Sequence, residues 1–443
     1  MVFENIGVEV PKILLPKKGT DMQHWAVIAC DQYTSDQAYW QRLEQQTAEN
    51  ISTLNLVFPE AYLGAEDTEQ RIAAINRAME AYLADGSLEE QPPGFILVDR
   101  KTAAVASRKG LILALDLEQY DYTEGAQSLI RSTEGTIIDR LPPRIKVRQN
   151  APIELPHIMV LIDDPQRTVI EPLFNETLKT VYDFDLLENG GHLKGYQVDQ
   201  PELITQITTA LEKLADPAAY RAKYAVDGEV MLYAMGDGNH SFATAKAIWT
   251  KLKEEADDPA TVMNHPARFA LVELVNVHDP GLEFEAIHRV LFNVDCDHLT
   301  QQMESFFSGR GTPLSMTFCA DLSEAEVLAA KVQDGHAFPV VFAGQFGVCE
   351  VAAPEFTLEV ATLQAFLNQY LEDNPAVRID YIHGSQTVTE LGSEPESAGF
   401  YLPAISKHDL FKTIVLDGAL PRKTFSLGEA DEKRFYLECR RIC

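Results

Sequence analysis

Apolar and polar positions along the chain recur with two periods, about 3.6 and 2. Ile72, Ala73, Ile75, Met79 and Leu83 follow the first and predict a helix over residues 68–83. Residues 25–30 read as a short buried strand, followed by a helix over 35–50 with Ser35 or Asp36 as its cap. Past the breaker Gln91-Pro92-Pro93-Gly94 come two β-like runs, 95–98 and 110–117. The near-continuous apolar run 157–162 predicts a strand covered on both faces, with a helix over 167–182. Strand, helix and strand alternate again at 230–235, 241–253 and 269–277. After residue 290 the pattern restarts, with helices near 298–307, 323–332 and 358–371 and strands at 314–319 and 338–343. Such alternation favours an α/β class, mixed rather than purely parallel, in two units over 1–290 and 291–443. Residues 131–148 combine charge, glycine and the Pro142-Pro143 pair, and read as an ordered loop that would wall a site.

Composition narrows the function classes. A chain of 443 residues exceeds the roughly 250–300 at which one hydrophobic core stops growing. Its 46% apolar and 23% charged content is ordinary for folded domains. A net charge of −30 repels phosphate backbones and anionic membranes, so no nucleic-acid or membrane partner is expected. No apolar run approaches the ~20 residues of a membrane span. Residues 1–15 carry Glu4 and Glu9 without a basic start, unlike a signal peptide. Six cysteines without a Cys-x-x-Cys pair fit reduced thiols, so a cytoplasmic location is expected. The sequence sets no oligomeric state.

The chemistry concentrates where a strand ends in Gly236-Asp237-Gly238-Asn239-His240-Ser241 and a helix begins. Such a turn aims free backbone N–H groups and the positive end of a helix dipole at an anion. Asp237 would repel a bare phosphate but suits Mg²⁺ or a hydroxyl proton, and His240 suits acid–base work or donation to a phosphoryl oxygen. Equally, Asp237 and Asn239 would shape a plain turn, with Asn239 or Ser241 as helix cap. Neither a Walker loop nor a dinucleotide fingerprint is present. Asp31, at the mouth of the first strand, is a candidate general base or a turn aspartate. Glu134, Thr136, Asp139 and Arg140 would bind the amino and carboxylate groups of an amino acid, although a loop ion pair equally explains the last two. Asp163-Asp164 reads as a strand terminator.

The string from Gly236 to Lys246, the upstream Ala29-Cys30-Asp31-Gln32-Tyr33-Thr34-Ser35, the Glu134-Gly135-Thr136 to Arg140 stretch and the closing Pro421–Ala430 segment together resemble a bacterial family of domains of unknown function. That family is similar to the ParB/sulfiredoxin superfamily and its free serine kinases. The resemblance spans nearly the whole chain. It implies a ParB/sulfiredoxin-like phosphate-binding core over 1–290, and a second α/β unit whose basic tail returns to the site. Asp237, Gly238 and His240 match the superfamily's phosphate-holding turn, with Asn239 and Ser241 inside it; relatives often carry arginine where Ser241 stands. Cations would then come from elsewhere, and His288, Arg289, Lys423 and Arg422 are the candidates, with Thr424 adding a hydroxyl. A core histidine and a solvated surface lysine are the plain readings of His288 and Lys423. The expected function is Mg²⁺-dependent phosphorylation of free L-serine to O-phosphoserine from pyrophosphate or a nucleotide, with Asp31, Asp237 and His240 catalytic and Asp237 the metal ligand. The alternatives are a phosphoserine phosphatase-like hydrolase and a ParB-like nucleotide-binding protein without turnover. Sulfinic acid repair would need a cysteine in the turn, and positions 236–241 hold none.

Overall fold

The computed structural model describes residues 1–123, 125–428 and 430–443. One compact unit comprises Met1–Glu283 together with Leu427–Cys443, and a second comprises Phe284–Ser426. The expected division at 290/291 falls inside a continuous strand, Phe284–Phe292, so the break comes before that strand begins.

A mixed sheet forms the middle layer of the first unit. Its strands run in the order Lys179–Asp185, His192–Val198, Phe95–Lys101, Arg108–Asp116, Phe269–Asn276, Met159–Ile162, Tyr233–Asp237, Ile130–Arg131 and Tyr120–Asp121. Neighbours are antiparallel except Met159–Ile162 beside Phe269–Asn276 and the last two pairs, which are parallel. Side chains alternate faces along a strand, so a strand covered on both sides must be apolar throughout. Leu111, Leu113 and Leu115 enter one core with Val272, Leu274 and Trp249. Ile112 and Ala114 enter the other with Leu271, Trp25 and Trp40. The helix Asn239–Glu255 covers the first face. The helices Gln37–Thr47 and Thr68–Ala84 cover the second.

Three local expectations change. Residues 167–182 do not form a helix: a short 3-10 turn, Glu171–Asn175, leads into the strand Lys179–Asp185. In that strand Thr180, Val181, Tyr182 and Phe184 supply the β-branched and aromatic content that a pleated surface favours. Residues 131–148 hold a helix, Leu141–Arg148, whose Pro142-Pro143 pair occupies the first turn, where a missing N–H costs nothing. Trp25 closes a one-turn helix, Met22–Trp25, capped by Asp21, and leaves only Val27–Ile28 as strand.

The second unit is an antiparallel sheet in the order Leu314–Phe318, Gln345–Ala352, Gly335–Phe342, Ser397–Phe400, Phe284–Phe292 and Arg378–His383. The helices Cys296–Gly309 and Glu359–Asp373 seal its core around Leu291, Phe338, Leu363 and Phe400. Among the described residues no helix is long and apolar enough to cross a membrane, and the six cysteines are free thiols.

The C-terminal segment is held inside the first unit by buried charge. Phe435–Tyr436 pairs with Val27–Ile28, and Arg440–Arg441 pairs with Ile153–Glu154. Arg434, nearly fully buried, donates to Glu273, to Glu438 at 2.5 Å and to the Pro156 carbonyl at 3.1 Å. Arg440 donates to Glu154 at 2.7 Å. Burial alone would lower the Arg434 pKa, but the Glu438 and Glu273 carboxylates outweigh it and raise it. Removing one member strands the others in a dry site. Arg434→Met should therefore lower urea-derived stability by about 3–5 kcal/mol.

Candidate functional site

The strand Tyr233–Asp237 ends at the predicted turn, and the 17-residue helix Asn239–Glu255 starts from it. Gly238 is the N-cap, with φ of +78°, and no side chain caps the helix. Neither Asn239 nor Ser241 serves as cap; both lie in the first turn. A β-carbon at position 238 would sit 3.0 Å from the Ile158 Cα, so glycine is required by conformation and by space. Gly238 thus offers the first-turn N–H groups no capping side chain, and no acidic residue occupies that turn. The buried Oδ1 of Asn239 has no hydrogen-bond partner.

Around this turn the tertiary fold gathers residues from four distant segments. The Lys433 ammonium lies 3.2 Å from Asp237 Oδ2. The Asp31 carboxylate lies 3.5 Å from His157 Nε2, which is also 3.3 Å from Ser241 Oγ. His157 Nδ1 lies 2.8 Å from the Tyr436 hydroxyl, which donates to Cys30 Sγ at 3.0 Å. His240 accepts the Ile137 amide on Nε2 at 3.4 Å, so its neutral form carries the proton on Nδ1.

The electrostatics follow from this packing. Burial would drive the His157 pKa down, but the Asp31 carboxylate, helped by Asp237 and Glu60, raises it above the usual value. Burial would raise Asp31, yet His157, Gln32 and Lys433 hold its carboxyl well below the ordinary range. Burial pushes the Cys30 thiol up, with Asp31 and Glu60 adding to the effect, so it is not a thiolate. The Asp31 charge therefore favours the imidazolium form of His157, and the imidazolium favours the Asp31 carboxylate. In that state Nδ1–H donates to Tyr436 and Nε2–H faces Asp31 and Ser241.

The predicted residues divide between the units. Asp31, Asp237, Gly238, Asn239, His240 and Ser241 belong to the first. So do Glu134, Thr136, Asp139 and Arg140, on the segment whose Ile137 amide meets His240. Asp139 and Arg140 are exposed in the 3-10 turn Ile138–Arg140, and no ion pair joins them among the described residues. His288, Arg289, Lys423 and Thr424 belong to the second unit. There the Arg289 guanidinium is fully buried and donates to the carbonyls of Ile287, Lys423 and Arg422 and to Gln364. His288 Nδ1 accepts the Leu402 amide at 3.0 Å, and the Thr424 hydroxyl donates to the Pro421 carbonyl at 2.6 Å. Asp163 ends the Met159–Ile162 strand and binds Lys223, Tyr224 and His278. Among the described residues no group of three or more His, Cys, Asp or Glu side chains is arranged to hold a metal ion.

Sequence reasoning passed over His157, Lys433 and Tyr436. A signal existed for the first, since a histidine opening a strand buried on both faces must find a charged or polar partner. Lys433 and Tyr436 carry no local signal beyond lying in a basic tail.

Two outcomes test this geometry. The carboxylate's stabilisation is present above about pH 4 and lost as pH falls through the lower folded pKa of Asp31; the imidazolium's is full below about pH 6.5 and lost as pH rises through the higher folded pKa of His157. In ring-nitrogen NMR, His157 should titrate above about 6.5, and Asp31→Asn should bring its midpoint down, because burial then acts with less opposition. Gly238→Ala should cost about 1–3 kcal/mol in denaturant unfolding.

No curated protein matches the chain. Among solved structures it is similar to a conserved hypothetical protein from Pyrococcus furiosus, at 12% identity over 74% of this chain and 90% of that one, with a TM-score of 0.36. It is similar to a free serine kinase in complex with AMP, at 12% identity over 75% and 91%, with a TM-score of 0.38. A C-terminally truncated SbnI from Staphylococcus aureus matches at 9% identity over 72% and 82%, with a TM-score of 0.35. Residues 14–370 match the family described as protein of unknown function, DUF1015, and the chain belongs to that family.

Proposed function

We propose that the protein transfers a phosphoryl group from pyrophosphate or a nucleotide to the hydroxyl of a small metabolite, with free L-serine as the first acceptor to test. One observation carries the reading. An uncapped helix N-terminus beside Lys433, suited to phosphate, lies among groups that include the ionised Asp31 carboxylate, suited to a hydroxyl, and Asp31 feels the Lys433 charge. The motif resemblance of the turn points the same way.

In the transfer the acceptor oxygen attacks the terminal phosphorus. The phosphorus–oxygen bond to the leaving phosphate or nucleotide breaks, and the hydroxyl proton passes to Asp31. A carboxylate held this far below neutrality is a weak base. In a loose phosphoryl-transfer transition state, however, orienting the nucleophile counts for more than basicity. His157 fixes the Asp31 carboxylate, and Tyr436 fixes His157. Lys433 and the first-turn amides stabilise charge on the phosphoryl oxygens. Mg²⁺ bound mainly through phosphate oxygens needs only one or two carboxylates. Asp237 and the unpartnered Asn239 oxygen are the donors this chain offers, and the ion would supply charge neutralisation.

Incubation with L-serine, Mg²⁺ and each donor in turn should yield O-phosphoserine by phosphorus NMR with at least one donor; no transfer product from any donor overturns the reading for serine. Asp237→Asn and Lys433→Ala should each lower kcat about 10- to 1,000-fold while leaving the unfolding transition cooperative. Full turnover in Asp237→Asn would reduce the turn to a structural one.

A further inference from the structure

A cavity of about 130 Å³ opens against the His157 end of the site, lined there by His157, Ser241, Cys30 and Tyr436. Its remaining wall is largely apolar, formed by residues such as Phe58, Met79, Val147 and Ile153. The charged groups that face it besides His157 are two ion pairs, Arg144 with Glu60 and Arg148 with Glu154. Arg144 and Arg148 stand four residues apart on one helix and present the same face to the cavity. Arg144 donates to Glu60 and to the Arg140 carbonyl, and Arg148 donates to Glu154. A guanidinium has five N–H donors, so each retains N–H groups beyond these bonds.

Free serine would fill this cavity only in part, because its amino, carboxylate and hydroxyl groups leave only one methylene for an apolar wall. We propose that the cavity binds the acceptor, and that the acceptor is a hydroxylated carboxylic acid with a branched apolar body of three or four carbons. This rests on the phosphotransferase reading and narrows its substrate class. The hydroxyl points to Asp31 and His157, the apolar body fills the space between Phe58, Met79 and Val147, and the carboxylate meets the Arg144 guanidinium. A dry cavity of about 150 Å³ accommodates a benzene-sized ligand, so roughly six to eight heavy atoms fit.

The test separates acceptor binding from transfer. By isothermal titration calorimetry on the full-length chain, 2-hydroxyisovalerate should bind about 10- to 50-fold more tightly than L-serine, since each added buried methylene contributes roughly a factor of four. Val147→Phe, at a partly exposed helix position, should abolish that preference while pyrophosphate affinity stays within about twofold. Ala151→Leu, filling another wall, should act likewise, which guards against a folding defect in either variant. Equal or tighter binding of L-serine, or preference unchanged in both variants, overturns the assignment. Binding with the stated preference but no phosphorylated product would uphold the cavity's ligand class and defeat the phosphotransferase reading instead.

Discussion

Arg434 is the residue on which the arrangement depends. A guanidinium buried among Glu273, Glu438 and the Pro156 carbonyl is stable only while all of them are in place. Glu273 belongs to a central strand of the sheet, and Glu438 to the C-terminal segment itself. The ion pair therefore ties the chain's end to the middle of the first unit. Arg440, bonded to Glu154, ties it a second time. Between these two anchors the backbone has little freedom, and the side chains next to Arg434 are placed as a consequence.

Those neighbours are Lys433 and Tyr436. The first reaches Asp237 and the second reaches His157 and Cys30. Pairing of Phe435–Tyr436 with Val27–Ile28 brings Asp31 to the same place, because Asp31 follows that strand by three residues. Three segments far apart in sequence thus meet at the N-terminus of one helix. The mouth carries charges of both signs in a chain of net charge −30, and each carboxylate there is matched by a cation: Asp31 by His157, Asp237 by Lys433, Glu60 by Arg144. A bound phosphate would meet Lys433 and a helix N-terminus without a capping side chain rather than an uncompensated negative field.

Two constraints set the geometry of the turn. Glycine at 238 is imposed by a left-handed backbone and by the Ile158 contact, which leaves the helix start without a side-chain cap. Serine at 241 replaces the expected cation and instead meets His157, so positive charge enters from the tail and from an imidazole whose protonated form Asp31 favours. The cations expected at His288, Arg289 and Lys423 belong to the second unit, where Arg289 is occupied by backbone carbonyls.

Local physics made a good part of the chain legible. The helix Thr68–Ala84, the cap at Asp36, the apolar strands and the glycine turn all follow from periodicity and from residues whose preferences act over a few positions. Residues 167–182 were ambiguous because a short run holding both periods takes its conformation from the strand it pairs with. The Pro142-Pro143 pair signals a helix start as readily as a loop. What sequence alone could not specify was pairing across hundreds of residues: Arg434 with Glu273, Tyr436 with His157, Lys433 with Asp237. Such contacts leave no periodic trace, since each is a single side chain meeting another only after the whole sheet has formed. The sequence by itself determined most of the elements and the turn; the tertiary structure alone decided which charges surround it, because buried charges find partners through the fold and not through spacing along the chain.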